Sequence, residues 1–410
     1  MSSSRSPDAP PIAALATELR GQLQPLLARL AGTPPRGVRL TRGIGLDKSL
    51  ASRLVQACRA GSDAEFLHAV PSPTGLRILC EKAQGQAPAG SLKALGRTIE
   101  RFEVLLDSLP GGRQGLDAQI GTEAPVAHER REQVARQAAF KATSFLFGHF
   151  CDTLVSSLFV SPAADGRCID VLEIHRRIGL QRVVPGTPLP LLSVQLLNAE
   201  AGAGTGTPRI ADIDGHSEAR GATQFIIDGG ERLALQLVHE GLLTTFVIGA
   251  DTATLPPRLS TALRVYGAAP REPGAPYRTL RNYMLHTPCR TVVREVFVAG
   301  GLWPDAQAEL GHYLPGPSGT PALQIDPALP SLRRVNLVAR IEQLPAGESG
   351  WALAGLPDHA ALLARALQRA GLPATGWRGW RSRMPYPVPL IETQVGFRFA
   401  AAGVPPSAPG

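Results

Sequence analysis

Several residue types that would define a special class of protein are scarce in this sequence. Its 410 residues contain five cysteines, widely spaced and without a Cys-x-x-Cys pair, so neither a disulfide framework nor a zinc knuckle is indicated. Aromatic residues make up 5% of the chain, while the hydrophobic share of 44% is typical of globular proteins and excludes wholesale disorder. No basic start followed by an apolar core opens the sequence, so we predict no secretory signal and a cytoplasmic location.

Long apolar runs free of charge are also absent. Residues 138–160 are long enough to raise the question of a membrane span, but Lys141, His149 and Asp152 interrupt them. Each such charge is costly in lipid, so we predict a buried or dimer-interface helix and no membrane partner. Asp47 stands where a phosphate-binding loop needs a glycine, and no other cofactor motif has the required spacing. We therefore predict no cofactor.

Glycine and proline are abundant, at 43 and 37 residues, and they divide the chain into segments with different apolar patterns. The first part repeats apolar residues at helical spacing, whereas the part after Pro162 alternates short apolar runs with turns, as antiparallel strands do. The predicted fold class is α+β and multidomain, with an N-terminal all-α helix-turn-helix domain, a long connecting helix and a C-terminal antiparallel β-rich region resembling a sandwich or barrel. The predicted boundaries are a disordered tail (1–11), a helical DNA-binding domain (12–110), a linker (111–124), a long connecting or dimerisation helix (125–160), a β-rich sensor or interaction domain (161–400) and a disordered tail (401–410).

Within these segments, individual elements follow from the apolar spacing. Apolar stripes predict a helix from residue 15 to 30, kinked or split at Pro25, and another from 91 to 109. One further helix is predicted within the β-rich region, at 359–370. The predicted strands cover residues 189–197, 224–228, 232–239, 242–249, 263–266, 291–298, 333–341 and 395–399.

The positive charge of the chain is concentrated in one short stretch. The formal net charge is +8, and between Arg20 and Ala60 eight basic residues face a single acid, Asp47. Only four of the 42 basic residues are lysines, so the basic excess is carried by arginine. Phosphate binding needs such a local concentration of cations, which indicates a nucleic acid as partner.

The residues from Leu40 to Leu54, LTRGIGLDKSLASRL, resemble the helix-turn-helix of bacterial transcription regulators. In that motif a short helix ends at a glycine turn and a second helix enters the major groove of DNA. Gly45 falls at the turn, where φ > 0 is usual, and Asp47 can cap the second helix. The positions at which the motif packs its helices together hold Leu40, Ile44, Leu46, Ala51 and Leu54.

The resemblance covers residues 37–60 and implies a role for the polar residues of this segment. A helix beginning at Lys48 places Ser49, Ser52, Arg53 and Gln56 on one face. Arginine pairs with guanine and glutamine with adenine, so Arg53 and Gln56 are the expected base readers. The residues expected to bind phosphates are Arg39, Arg42, Lys48 and Arg59. The whole chain also resembles bacterial proteins in which such a motif precedes a long β-rich region, and no activity follows from that likeness.

Four other groups of residues suggest chemistry, and each has a plainer explanation. Gly215 to Ala219 approaches the Gly-x-Ser-x-Gly nucleophile elbow around Ser217, but alanine replaces the last glycine. Asp212, Asp214 and His216 have a spacing that can hold a hard cation, although Asx turns in a polar loop account for them more simply.

His286 and Cys289 form the third group, an imidazole near a thiol, and a core cysteine beside a turn histidine is the favoured interpretation. The fourth is the Trp and Arg cluster from Trp377 to Arg383, which can stack on bases but is more simply a packed C-terminal element. None of the four is predicted to be catalytic.

The sequence thus predicts a non-enzymatic bacterial DNA-binding protein, most simply a transcriptional regulator that reads double-stranded DNA as a homo-oligomer. The β-rich region would sense an unknown ligand or protein. Two alternatives stay open at this point. In the first, the motif serves packing in a structural or interaction protein, and in the second the β-rich region is an enzyme.

Overall fold

The computed structural model describes residues 12–120, 125–195, 209–216, 225–229, 233, 235–240, 243–252, 254–316, 325–338 and 340–399. The chain divides into two compact units, residues 1–132 and 133–410, which we call unit 1 and unit 2. The helices are α1 (Ile12–Ala31), α2 (Gly37–Ile44), α3 (Lys48–Cys58), α4 (Asp63–Ala69), α5 (Pro73–Lys82), α6 (Ala89–Ser108), α7 (Arg113–Ile120), α8 (Pro125–Phe147) and α9 (His359–Arg369), with a short 3₁₀ helix at Glu348–Trp351.

The strands belong to unit 2. They are β1 (His149–Pro162), β2 (Cys168–Ile178), β3 (Gln181–Arg182), β4 (Leu189–Gln195), β5 (Arg209–Ala211), β6 (Ile226–Asp228), β7 (Leu235–Glu240), β8 (Leu243–Ile248), β9 (Arg258–Pro270), β10 (Tyr277–Met284), β11 (Cys289–Ala299), β12 (Gln307–Tyr313), β13 (Glu342–Gln343), β14 (Trp377–Pro385) and β15 (Glu392–Arg398). Among the described residues, no helix combines the length and apolar character that crossing a membrane requires.

Unit 1 is built around α1 and α6, each 20 residues long. Both bury an apolar stripe at helical spacing, as predicted, although α1 continues through Pro25 as one helix. Helix α7 lies in the stretch expected to be a linker, and its Leu116 and Ile120 are buried in the same core as α1 and α6. This core holds the shorter helices α2 to α5 in place.

A nine-stranded sheet dominates the described part of unit 2, with β13-β14-β11-β1-β2-β9-β5 in order and β3 and β6 at its side. The central pair β1 and β11 is parallel, whereas the neighbouring pairs are antiparallel. The described residues also form two three-stranded sheets, β10-β15-β12 and β4-β8-β7. Residues 154 to 160 of β1 are buried on both faces of the sheet, because other layers of the protein cover each face.

The two faces of the large sheet pack against different partners. One face shares a core with the two small sheets, to which Phe246 of β8 and Phe397 of β15 contribute. On the other face, Phe159 stacks on Phe297 with ring centroids 4.7 Å apart, and α9 and the 3₁₀ helix cover them.

The predicted fold class, with its all-α helix-turn-helix domain, long connecting helix and antiparallel β-rich region, is wrong. The structure is a mixed α/β protein with three sheets, a parallel strand pair at the centre of the largest sheet, and a helix packed on that sheet. The long helix predicted for 125–160 ends at Phe147, and residues 149–162 form β1. Gly148 marks the change, because its φ of 73° favours glycine and a Cβ there would lie 3.1 Å from the side chain of Val184.

Several predicted elements do lie where the sequence placed them. The predictions at 189–197, 242–249 and 291–298 correspond to β4, β8 and β11, and the helix predicted at 359–370 is α9. The run at 333–341 forms no strand among its described residues, although its backbone bonds to the end of β12 through Val335 and His312 at 2.8 Å. Strands β2, β10, β12 and β14 were missed.

Candidate functional site

The helix pair α2 and α3 is joined by a three-residue turn at the segment that resembles a helix-turn-helix. Gly45 has φ 69° and ψ 32°, the left-handed conformation predicted for it. Asp47 begins α3 by accepting hydrogen bonds from the backbone N–H groups of Ser49 at 2.7 Å and Leu50 at 3.3 Å. The five apolar residues predicted to pack the two helices are all buried, namely Leu40, Ile44, Leu46, Ala51 and Leu54.

All eight side chains predicted to contact DNA are exposed on α2, on α3 and just beyond its end. We refer to this set as the basic helical surface: Arg39, Arg42, Lys48, Ser49, Ser52, Arg53, Gln56 and Arg59. Five of the eight carry a positive charge. The acid within the segment, Asp47, has its Oδ1 engaged by the first amides of α3, so it serves as a cap.

Arg53 has a structural partner that the sequence did not indicate. Its guanidinium donates to the carbonyl of Val70 at 3.3 Å. It also lies near two further arginines, Arg113 and Arg131, which bind one carboxylate, Asp117. Burial, together with nearby positive charges that include Arg53, lowers the pKa of both Arg113 and Arg131 to about 10. The basic helical surface therefore adjoins additional, partly buried positive charge.

A second polar region lies in unit 2, on the face of the large sheet that meets the small sheets. Five neighbouring strands each contribute one polar residue at the same level of the sheet, and all five are buried. In register across the sheet they are Thr261, His175, Ser156, Arg294 and Ser382. A row of polar side chains through a sheet interior is costly unless its members are paired or bind something.

This row borders a pocket whose empty volume of about 520 Å³ includes space open to solvent. We call it the arginine-lined pocket. Its polar lining consists of Ser156, Glu173, His175, Arg177, Ser193, Arg281, Asn282, Tyr283, His286, Thr287 and Arg294. Its apolar lining consists of Leu154, Leu191, Leu192, Met284, Leu285 and Val292.

Glu173 is the carboxylate of the arginine-lined pocket, and each of its oxygens lies within ion-pair distance of a basic side chain. Its Oε1 lies 3.0 Å from His175 Nε2, and its Oε2 lies 2.7 Å from an amino nitrogen of Arg281. Burial alone raises the pKa of Glu173, but the charges around it, that of Arg281 foremost, bring it down to about 2. Burial lowers the pKa of His175, so this imidazole is neutral near pH 7.

Arg177 and Arg294 differ from Arg281 because neither is paired with a carboxylate in the described part of the chain. Arg177 is 1% exposed; one of its amino groups donates to the carbonyl of Leu191, and its Nε and other amino group have no partner there. Arg294 is 3% exposed, lies 5.4 Å from the ring centre of Tyr283 and leaves one amino group unpaired. Burial lowers the pKa of both to about 10, which keeps them charged at neutral pH.

The opposite face of the same strands carries a different network. Glu295 Oε2 accepts from Ser157 at 2.6 Å and lies 2.8 Å from His359 Nε2, and its Oε1 accepts from Arg381. Serine and histidine thus both contact the carboxylate, and in a catalytic triad the histidine would instead contact the serine. Ser157, Glu295 and His359, the last being the first residue of α9, are all fully buried, so the network is a structural one.

The residues considered for catalysis in the sequence are not assembled for it. Cys289 is fully buried beside Cys151 of β1, and burial raises the pKa of its thiol, whereas a nucleophilic cysteine needs a lowered pKa. His286 faces the arginine-lined pocket, and burial lowers its pKa. Ser217 lies outside the described residues.

The remaining two groups have structural partners. Asp212, Asp214 and His216 place one ligand atom each within 4.8 Å of one another. Asp212, however, accepts the backbone N–H of His216 at 2.7 Å, and Asp214 pairs with Arg369 at 2.6 Å. The Trp and Arg cluster is strand β14, whose tryptophans are buried in the two cores of the large sheet.

The arginine-lined pocket was not predicted, although the sequence contains a signal for it. Glu173, His175 and Arg177 occupy every second position of residues 173–177, which in a strand places all three on one face. Arg294 interrupts the predicted strand 291–298 in the same way.

No family model matches this chain, and no curated protein matches it. Among solved structures, one similar chain is from Parabacteroides distasonis and is described as a "putative protease", with a TM-score of 0.25 and 9% sequence identity. The match covers 61% of this chain and 40% of that one. This chain therefore spans about two fifths of the length of that structure, and a likeness at this level carries no functional argument.

Proposed function

We propose that the protein is a cytoplasmic regulator that binds double-stranded DNA through the basic helical surface. The observation that carries the proposal is the exposure of five cations and three polar side chains on two helices joined by a glycine turn. Phosphate contacts supply most of the affinity of such surfaces, and polar side chains on the second helix supply base reading. No cofactor or catalytic step is part of this proposal.

The bond between Arg53 and Val70 refines the assignment of roles. An arginine that already donates to a backbone carbonyl at 3.3 Å has a restricted orientation, which reduces the entropy lost on binding a base. Gln56 follows Arg53 by three residues, so the two side chains lie on the same face of α3, and Gln56 is exposed as well. We therefore assign base reading to these two and phosphate binding to Lys48 and Arg59.

The test is binding of the full chain to duplexes from a randomised pool, measured by fluorescence anisotropy across a salt series. Lys48→Ala with Arg59→Ala removes two phosphate ligands and should flatten the salt dependence by about two units of slope, equally for all sequences. The matched control is Lys93→Ala with Arg97→Ala, which removes the same charge from exposed positions of α6. Equal losses in the two double variants would show that net charge, and not this surface, governs binding.

Base reading has its own test on the sequence that the pool enriches. Arg53→Ala and Gln56→Ala should each weaken binding to that sequence by about 5–150-fold and leave binding to unrelated duplexes almost unchanged. Absence of wild-type binding at low salt would refute the proposal. The motif would then serve packing in a structural or interaction protein.

A homodimer would place two such surfaces on a two-fold related DNA site. Support for a second copy comes from α8, where Val134, Phe145 and Leu146 expose most of their apolar side chains. Light scattering after size-exclusion chromatography tests this point. Phe145→Ser with Leu146→Ser should convert a dimer into a monomer, and a wild-type monomer at micromolar concentration would refute dimerisation.

A further inference from the structure

The charges that line the arginine-lined pocket do not balance. Three guanidinium groups, those of Arg177, Arg281 and Arg294, face one carboxylate, that of Glu173, and the two lining imidazoles are neutral because burial lowers their pKa values. The pocket therefore carries an excess of two positive charges. An unpaired charge in a protein interior is strongly unfavourable, so both charges call for an anion.

The positions of the two unpaired arginines define how the anion must be shaped. Arg177 pairs in register with Leu154, and Leu154 in turn with Val292, whereas Arg294 lies two residues further along β11. The Cα atoms of the two arginines are separated by two spacings between neighbouring strands and by two residues along a strand, which together give a distance of about 12 Å. The side chains of Leu154 and Val292 lie between them on the same face of the sheet.

Each guanidinium offers N–H groups that no described residue accepts. Arg177 is held at one amino group by the Leu191 carbonyl, which leaves its Nε and second amino group available, and Arg294 is held over the ring of Tyr283. A guanidinium N–H that has no acceptor in the protein can donate a strong, charge-assisted hydrogen bond to a carboxylate. Two such sites separated by an apolar floor fit a molecule with a carboxylate at each end and a short hydrocarbon chain between.

We propose that the arginine-lined pocket binds a small organic dianion of the dicarboxylate class. One carboxylate pairs with Arg177 and the other with Arg294, while the carbon chain packs on Leu154 and Val292. Arg281 takes no charge from the ligand because Glu173 already neutralises it. The site is independent of the basic helical surface, so it stands whether or not the protein binds DNA.

Binding is tested on the full chain by calorimetry and by thermal unfolding followed through tryptophan fluorescence, at constant ionic strength. The probes are succinate, glutarate and adipate, with butyrate as the monoanionic match and glycerol 3-phosphate as a dianion of different shape. We expect saturable binding and a raised Tm with at least one dicarboxylate, and a much smaller effect of butyrate. If no dicarboxylate binds saturably at concentrations up to about 10 mM, the proposal is overturned. A dissociation constant weaker than that means that the two arginines contribute almost nothing to binding. Tighter binding of glycerol 3-phosphate than of every dicarboxylate would overturn the assignment of the ligand class.

Two variants separate a ligand-binding role from a structural one. Arg177→Met and Arg294→Met should each weaken dicarboxylate binding by about 10–100-fold, as expected for loss of a charged hydrogen-bond donor. Because each also removes an unpaired buried charge, the Tm without ligand should stay level or rise. Arg365→Met, at an exposed position of α9, is the matched control and should change neither quantity. A lowered Tm without ligand in both pocket variants, with binding unaffected, would show that the arginines serve the fold alone.

Discussion

Glu295 is the carboxylate at the centre of the buried network that includes His359 of α9. Its removal measures how far burial increases the loss of stability when an ion pair is broken. It is 0% exposed, and donors on three other elements share its two oxygens, with Ser157 at 2.6 Å, His359 at 2.8 Å and Arg381 at 2.6 Å. In Glu295→Ala these groups lose their acceptor inside the protein. Breaking a buried ion pair by removing one partner costs about 3–5 kcal/mol, and we expect this loss of stability for unit 2.

Glu309→Ala is the matched comparison, because Glu309 also binds an arginine of unit 2 through both oxygens. Its partner Arg398 is about one third exposed and keeps Asp326 at 2.6 Å, so the expected loss is about 0–1 kcal/mol. Urea unfolding followed by tryptophan fluorescence reports on unit 2 alone, since all four tryptophans belong to it. Equal losses of stability in the two variants would refute the argument from burial.

Three further predictions concern acid stability, helix capping and thiol reactivity. Burial and the charge of Arg294 lower the pKa of His312 to about 3 in the folded protein. As the pH falls, the imidazole of His312 is therefore protonated in the unfolded chain before it is protonated in the folded one. Unit 2 should accordingly lose stability as the pH falls from 6.5 towards 3. His312→Gln should remove up to about 1.4 kcal/mol per pH unit of that slope in urea titrations, and an unchanged slope would assign it to other groups. Asp47→Ala should destabilise unit 1 by about 1 kcal/mol, and Asp47→Asn by much less, when far-ultraviolet ellipticity is followed on heating. A thiol reagent should label at most Cys58 and Cys80 in the folded protein, and faster labelling of a third thiol would contradict the buried positions of the others.

Local features of unit 1 could be predicted from the sequence because they depend on neighbouring residues. The turn at Gly45, the cap at Asp47 and the burial of Leu40 and Leu54 all follow from residue type and spacing within one short segment. The extra bond of Arg53 could not be predicted, because its acceptor, the carbonyl of Val70, lies 17 residues away along the chain. The arrangement of the segment was thus predictable, while the environment of one key side chain was not.

The error at β1 has a different physical origin. Strand β1 lies in a sheet that is covered on both faces, so its residues lose the alternation of apolar and polar side chains that identifies a half-buried strand. Residues 149–160 are rich in apolar side chains without a regular two-residue alternation, so next to the helical pattern of 125–147 they were predicted to continue the helix. The strand pairs with β11, more than a hundred residues further along the chain, and no local pattern carries that information.

The two faces of the large sheet show why the unpaired arginines are better explained by a ligand than by packing. Glu295 and Arg294 are consecutive residues of β11, so they point to opposite faces at the same level of the sheet. On its face, Glu295 meets a serine, a histidine and an arginine that satisfy both of its oxygens. Arg294 meets an aromatic ring and keeps an unpaired amino group beside a pocket. Because the fold supplies partners for the buried charge of Glu295 on one face, the unpaired amino group of Arg294 on the other face is not explained by a lack of available side chains. We infer that its partner is a molecule that enters the pocket.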